Sequence, residues 1–295
     1  VKLADVTTEE YLHHGGMACP GCGAYLGLRL ALKALGKNTI LFNVTGCIAT
    51  TLIMGVTKIP YIHTLFENGP AIASGTDFGL RILGKREGVN LLVYAGDGGT
   101  ADIGLQSLSG AIERGHDFIY ICYDNESYMN TGGQRSGTTP LGAITTTTPV
   151  GKKISGETRP LELKKDMLEI VAAHGTPYVA SASIAYPMDF MDKVKRAAET
   201  KGPAYIHLFA TCPTGWGADP SKTIEIARLA VQTGLVNLFE IINGERRITV
   251  KVRSRKPVTE YLKHQRRFKH VLENPDLINA LQEYVDKKCA RLGID

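Results

Sequence analysis

Two apolar runs, residues 91–95 and 118–123, each end in residues that a plain strand does not call for: Gly96-Asp97-Gly98 after the first and Asp124-Asn125 after the second. Residues 99–123 leave room for one helix and one strand between the two ends. A strand, a crossover helix and a second parallel strand join with one hand only, so this unit commits the chain to a parallel sheet with right-handed connections. Both polar ends then fall at the carboxyl edge of neighbouring strands, where open α/β sheets bind ligands. A carboxylate between two glycines lets backbone N–H groups come close to a phosphate, and an amide oxygen from the next strand can complete an oxygen shell around a divalent cation. The pair therefore reads as a metal and diphosphate site.

Two other readings stay open on these residues. The run from Gly96 to Ala101 also fits the dinucleotide pattern G-x-G-x-x-A, a weak signal when alone. A dinucleotide site wants an acid about twenty residues on, at the tip of the second strand, and Asp124 comes late for that. The third reading is a structural turn that binds nothing.

The rest of the chain repeats the alternation. Helices are expected over 25–35, 70–83, 103–114, 161–173 and 187–200, with strands over 40–44, 178–184 and 204–210. Strands separated by helices make a doubly wound, mostly parallel α/β fold. Residues 1–235 read as that domain and 236–295 as a C-terminal extension, formed by a hairpin turning at Asn243-Gly244, a basic arm and a closing helix over 275–292. The long loop from Tyr128 through Gly132-Gly133 to Ser136 follows the second ligand pair directly, and a loop of that length in a compact domain is usually functional.

Charge is concentrated in the extension. Residues 246–270 hold ten Lys or Arg against one acid, Glu260, although the whole chain is only +5. Such a segment fits either docking to an acidic partner or a structural strap. It carries no aromatic interleaving or nucleic-acid module, so no nucleic-acid partner is expected. No stretch approaches eighteen consecutive apolar residues, so no membrane span is expected. The first residues hold acids and two histidines rather than a basic region followed by an apolar one, and the expected location is cytoplasmic.

Six cysteines in such a chain suggest metal or redox chemistry rather than disulfides. Cys122 lies inside an apolar run and Cys289 in a helical pattern, and both read as buried hydrophobes. Cys19 and Cys22 form a C-x-x-C pair. Cys47 and Cys212 each follow a strand end, on the same sheet edge as Gly96-Asp97-Gly98. Four thiolates meeting there would suit a 4Fe-4S cluster or zinc, and unligated thiols remain the third reading.

Taken together, the motifs resemble those of the thiamine diphosphate-binding β subunits of 2-oxoacid:ferredoxin oxidoreductases, most closely the pyruvate type. The marks are Ala18-Cys-Pro-Gly-Cys-Gly23, Thr45-Gly-Cys47, His63-Thr-Leu-Phe-Glu-Asn68, Gly96-Asp-Gly-Gly99, Tyr128-Met-Asn-Thr-Gly-Gly-Gln134, Cys212-Pro-Thr-Gly-Trp216, Val258-Thr-Glu-Tyr-Leu262 and Gln265-Arg-Arg-Phe268. They span nearly the whole chain. The resemblance implies a thiamine diphosphate-binding fold. It implies Mg2+ held by the Asp97 and Asn125 side chains and the Ser127 carbonyl, and a 4Fe-4S cluster held by Cys19, Cys22, Cys47 and Cys212. Gly21, Gly46, Gly96, Gly98, Gly99, Tyr128 and Thr131 are implied around the cofactor, with Asn130 as the candidate polar group beside the reacting carbon. The implied reaction is oxidative decarboxylation of a 2-oxoacid, pyruvate with coenzyme A, with electrons passed to ferredoxin or flavodoxin. The implied partners are the α and other subunits, one of which supplies the glutamate that activates the cofactor. Ala24 stands where several pyruvate-type members carry Glu, and oxalate is the alternative substrate. A non-redox decarboxylase with zinc is a further alternative.

Overall fold

The computed structural model describes residues 2–53, 57–148 and 164–294. Eight strands form one sheet: β1 (Thr39–Val44), β2 (Tyr61–Thr64), β3 (Asn90–Gly96), β4 (Ile119–Asp124), β5 (Tyr178–Ser183), β6 (Ala204–Phe209), β7 (Phe239–Ile242) and β8 (Glu245–Ile248). Their order is β2-β1-β3-β4-β6-β5-β7-β8. The first six run parallel, and the β7–β8 hairpin adds antiparallel to β5. The extension expected from residue 236 thus begins by continuing the sheet.

The helices are α1 (Gly23–Leu35), α2 (Cys47–Leu52), α3 (Gly69–Ile82), α4 (Asp97–Ala101), α5 (Leu105–Glu113), α6 (Met167–Ala172), α7 (Pro187–Glu199), α8 (Pro213–Trp216), α9 (Thr223–Gln232), α10 (Thr259–Leu262), α11 (Lys269–Leu272) and α12 (Pro275–Arg291). Among the described residues no helix is long and apolar enough to cross a membrane.

The strands are apolar runs because both faces of the sheet are covered. Leu92, Tyr94, Ile121, Tyr123 and Leu208 point to one side, where Leu28, Leu32, Phe190 and Val194 of α1 and α7 pack. Leu91, Val93, Tyr120, Cys122 and Tyr205 point to the other, against Ala73, Leu108, Ile112 and Val171 of α3, α5 and α6. Leu281, Val285 and Cys289 of α12 join the first core, so the last helix is packed into the same body.

Most expected elements form within a residue or two of their boundaries, and two differ. The helix expected over 103–114 is α5, preceded by a separate short turn, α4. The break falls at Asp102, and at Gly104 a Cβ would lie 2.0 Å from the Gly99 carbonyl oxygen. The helix expected over 161–173 begins only at Met167, where Asp166 caps it by accepting from Glu169 N; residues 161–163 lie outside the described residues. Residues 164–166 are not helical, because Lys165 N donates to Gly137 O at 2.7 Å and both lysine side chains reach across to acids on the sheet rim. Strand β2 and helices α2 and α9 went unread in the sequence. The Asn243-Gly244 turn forms as expected, with φ of 49° and 88°, the two left-handed residues of a type I′ hairpin.

Among the described residues, five of the ten basic residues of the segment form ion pairs within the chain. Arg246 pairs with Glu169, Arg247 with Glu240, Arg255 with Asp286, Lys263 with Glu260 and Arg267 with Glu126.

Helix α1 lies close to the sheet because Gly27 has no side chain. A Cβ there would sit 2.4 Å from Leu208 Cδ2 and 2.8 Å from Tyr94 Oη, whose hydroxyl donates to Ala24 O at 2.7 Å. Gly27→Val is expected to overpack this contact and cost about 1–3 kcal/mol, measured as a lower Tm in thermal unfolding. An unchanged Tm would show that the close approach does not matter.

Candidate cofactor site

Register sets the site. Ala95 pairs with Cys122 and Gly96 with Tyr123, so Asp97 and the Asp124-Asn125 corner emerge side by side from β3 and β4. Beyond the ends of these strands and of β1 lies a cavity of about 180 Å3 lined by Thr45, Gly46, Cys47, Phe66, Gly96, Asp97, Gly98, Gly99, Tyr123, Asn125, Ser127, Tyr128, Met129, Asn130 and Thr131. It gathers the residues expected around the cofactor and metal except Gly21 and Cys22. Gly21 and Cys22 are elsewhere, in a separate groove of about 680 Å3 with Cys19, His13, His14 and Arg29. Phe66, Tyr123, Met129 and Thr45 were not read as site residues; Thr45, Phe66 and Met129 stand inside the resemblance motifs, which was the available signal.

Asp97 is 2 % exposed. Its Oδ2 lies 2.5 Å from Ser136 Oγ and 3.0 Å from Thr138 Oγ1. Thr138 Oγ1 also lies 2.8 Å from Asp124 Oδ1, so one hydroxyl proton stands between two buried carboxyl groups. Burial first, then the Asp124 carboxylate, pushes Asp97 up to about 8.

Asp97 Oδ1 faces the Asn125 side-chain amide at 3.0 Å, and the same amide atom is 2.8 Å from the Ser127 carbonyl oxygen. With its nitrogen there, Asn125 donates to both oxygens. Turned over, the amide brings three oxygens to one point, at about the spacing of neighbouring ligands on Mg2+ bound at roughly 2.0–2.1 Å. Asp97, Asn125 and Ser127 therefore fit a divalent cation as a set of oxygen donors.

Asp124 plays a different part. It is fully buried, which raises its pKa, yet Lys164 and His207 more than offset this and hold it well below the usual carboxylate range. Lys164 Nζ lies 2.6 Å and His207 Nε2 2.9 Å from its Oδ2. The carboxylate that ends the strand thus has the Lys164 ammonium as a countercharge, whereas Asp97 is met by hydroxyls and the Asn125 amide. Sequence gave no sign that Ser136, Thr138, Lys164 and His207 would converge here, since they sit on three separate segments.

The loop after the corner is braced against the sheet rim. The Tyr128 hydroxyl donates to Asp102 Oδ2 at 2.8 Å, Tyr128 N donates to Gln134 O, and Asn130 Oδ1 accepts from Thr50 Oγ1 at 3.0 Å. Trp216 Nε1 donates to the Asn125 carbonyl oxygen at 2.9 Å.

Of the four cysteines of the expected set, Cys47 lines the cavity, Cys19 and Cys22 line the separate groove, and Cys212 opens α8 after β6. Gly23 N donates to Thr211 O at 3.0 Å and Thr223 Oγ1 to Gly21 O at 2.6 Å, which seats the C-x-x-C turn against the Cys212 segment. Burial, followed by the neighbouring Cys212, Cys22 and Cys19, pushes the Cys47 thiol up to about 12; burial raises Cys212 to about 11 and Cys22 in the same direction. Thiolates this close repel one another without a cation among them, so thiolate formation and metal binding are coupled. Among the described residues no three His, Cys, Asp or Glu side chains form a ready-made metal shell. Cys122 and Cys289 are fully buried in the cores, as expected.

Residues 45–208 match the family model described as "Thiamine pyrophosphate enzyme, C-terminal TPP binding domain". Fold and site together thus define a thiamine diphosphate-binding enzyme subunit. The chain is 57 % identical over 292 residues to pyruvate synthase subunit PorB of Methanothermobacter marburgensis, covering 98 % of this chain and 99 % of that protein. It is 48 % identical over 304 residues to ketoisovalerate oxidoreductase subunit VorB of Pyrococcus furiosus, covering 99 % and 95 %. The chain belongs to the β subunits of the 2-oxoacid:ferredoxin oxidoreductases. A solved 2-oxoglutarate:ferredoxin oxidoreductase from Magnetococcus marinus shares the fold, with a TM-score of 0.58 and 24 % identity over 76 % of this chain and 82 % of that one.

The middle of Gly96-Asp97-Gly98-Gly99 is shaped by packing. A Cβ on Gly98 would fall 2.2 Å from the Tyr128 ring. Gly98→Ala is expected to displace Tyr128 and the loop behind it, lowering thiamine diphosphate affinity by at least about tenfold with little change in far-UV circular dichroism. Calorimetric titration of the cofactor checks this, and wild-type affinity in the variant would refute it.

Proposed function

We propose that this chain is the cofactor-carrying subunit of a pyruvate:ferredoxin oxidoreductase, oxidising pyruvate to acetyl-CoA and CO2. The observation that carries the reading is the meeting of the Asp97 carboxylate, the Asn125 amide and the Ser127 carbonyl within 3.0 Å, on the rim that also presents Cys47. Asp97, Asn125 and Ser127 would hold Mg2+. Gly96, Gly98 and Gly99 would pass close to the diphosphate. Bound there, thiamine diphosphate supplies the carbon nucleophile and electron sink that decarboxylation of a 2-oxoacid needs. Tyr123, Phe66 and Met129 keep water from one wall. Asn130, held by Thr50, and Tyr128 and Thr131 beside it orient the substrate end of the cavity.

Cys19, Cys22, Cys47 and Cys212 would hold a 4Fe-4S cluster, which takes electrons one at a time as zinc cannot. Its neighbourhood includes Gly21 and Gly46, and ferredoxin or flavodoxin would be the acceptor. The relative named for pyruvate at 57 % identity supports that substrate, and the one named for ketoisovalerate keeps a branched 2-oxoacid as the second reading. Coenzyme A would be the acyl acceptor, and the site of action cytoplasmic. The cavity is smaller than the roughly 300–1,000 Å3 of a complete small-molecule site, which supports a second wall donated by another subunit. We read residues 1–235 as the cofactor domain and 236–295 as an extension that braces it.

The decisive experiment is metal analysis and absorption spectroscopy of the anaerobic complex, challenged with pyruvate, ketoisovalerate and oxalate. Pyruvate should bleach an iron-sulfur band fastest. A colourless zinc protein, or preferential bleaching by another acid, overturns the assignment. Asp97→Asn is expected to abolish Mg2+-dependent cofactor binding while leaving the Tm of the cofactor-free protein unchanged or higher, because a buried carboxylate beside Asp124 is removed; a lower Tm would contradict that account. Cys212→Ala should lose the iron-sulfur band yet still bind the cofactor, and a retained band would remove Cys212 from the ligand set.

A further inference from the structure

The corner that carries Asn125 and Ser127 turns through a residue that resists the turn. Glu126 has φ of 66°, a left-handed conformation that strains a residue with a Cβ, and it is 4 % exposed. It would relax if nothing held it. Four contacts do. Its carbonyl accepts from Thr139 Oγ1 at 2.7 Å. Its carboxylate is met by Arg267 Nη2 at 2.5 Å, Lys164 Nζ at 3.3 Å and the Tyr261 hydroxyl at 3.4 Å.

Arg267 is the pivot of this arrangement. It comes from the basic arm, 141 residues further along the chain, and its side chain is 3 % exposed. Gln265 Oε1 accepts from its Nε, and its carbonyl accepts from Ile144 N at 3.0 Å. The guanidinium stacks on the Trp216 ring at 3.9 Å and the Phe268 ring at 4.7 Å. Trp216, in turn, donates to the Asn125 carbonyl oxygen. One cation therefore grips the corner from both sides, directly at Glu126 and through the indole at Asn125. Nη1 of Arg267 is buried without a hydrogen-bond partner, a cost that an apolar side chain of similar size would not carry.

We infer that Arg267 is a positioning residue for the cofactor: by clamping Glu126 in its left-handed conformation and backing Trp216, it sets the separation of the Asn125 side chain and the Ser127 carbonyl at the metal. The inference rests on the reading of Asp97, Asn125 and Ser127 as Mg2+ ligands. It gives one member of the basic segment a defined task inside the protein rather than at its surface.

The test uses the assembled complex, with equilibrium dialysis of thiamine diphosphate at fixed Mg2+ and turnover measured at saturating cofactor. Arg267→Met should raise the cofactor Kd at least about tenfold, losing a charge-assisted contact and freeing a strained corner, while turnover at saturation falls far less. A glycine at 126 adopts φ of 66° without strain, so Arg267→Met with Glu126→Gly should recover to within about threefold of wild type. Arg267→Met with Glu126→Ala should not, since alanine keeps the strain and lacks the clamp. The two double variants leave no unpaired buried charge at the clamp, so their comparison stands even where the single variant assembles poorly. Unchanged affinity in Arg267→Met, or equal affinity in the two double variants, overturns the inference and leaves Arg267 a packing residue. A wild-type complex that binds no thiamine diphosphate overturns the cofactor reading, and this inference with it.

Discussion

Two carboxyl groups, Asp97 and Asp124, lie out of water at the ends of adjacent strands with one threonine hydroxyl between them. Like charges this close in a poorly polarisable interior cannot both ionise without help. The chain resolves the conflict by dividing their surroundings. Lys164 neutralises Asp124 and His207 hydrogen-bonds to it, and Tyr205 fixes the His207 ring from its other nitrogen at 2.8 Å. Asp97 receives neutral donors alone, the Ser136 and Thr138 hydroxyls and the Asn125 amide, and no cationic side chain among those contacts.

The same division explains why polar segments far apart in sequence meet at this rim. Lys164 crosses over from the segment before α6, His207 stands on β6, and Ser136 and Thr138 sit on the loop beyond Gly133. Each is near its target because the parallel sheet brings β3, β4 and β6 side by side, with Cys122 against His207 and Asp124 against Phe209 in register. Topology sets the positions, and charge selects the residues.

Legibility in the sequence followed the range of the physics. The β3–α–β4 unit, the hairpin and the long helices rest on local periodicity, turn chemistry and chain handedness, and these could be read directly. The place of Gly96-Asp97-Gly98 at the end of β3 could be read as well, because a Gly-Asp-Gly turn after an apolar run is a local signal. What could not be read depends on distant segments. Lys164 and Lys165 are bound to Asp124 and Asp102, which overrides the helical pattern starting at residue 161. Strand β2 is four residues long with three of them at least partly exposed, and α2 is six residues that begin at Cys47; neither is long enough to show a period. Glu126 reads as an unremarkable acid until its backbone angle and the buried arginine opposite it are seen together.

The two margins of the sheet differ in kind. On one side β8 ends the sheet with Glu245, Arg246 and Arg247, all exposed, and a like strand approaching it would stack charge on charge. On the other, the short parallel strand β2 shows Ile62, 39 % exposed, and His63. Charged side chains thus line the hairpin margin, and strand addition there is disfavoured relative to a plain apolar edge.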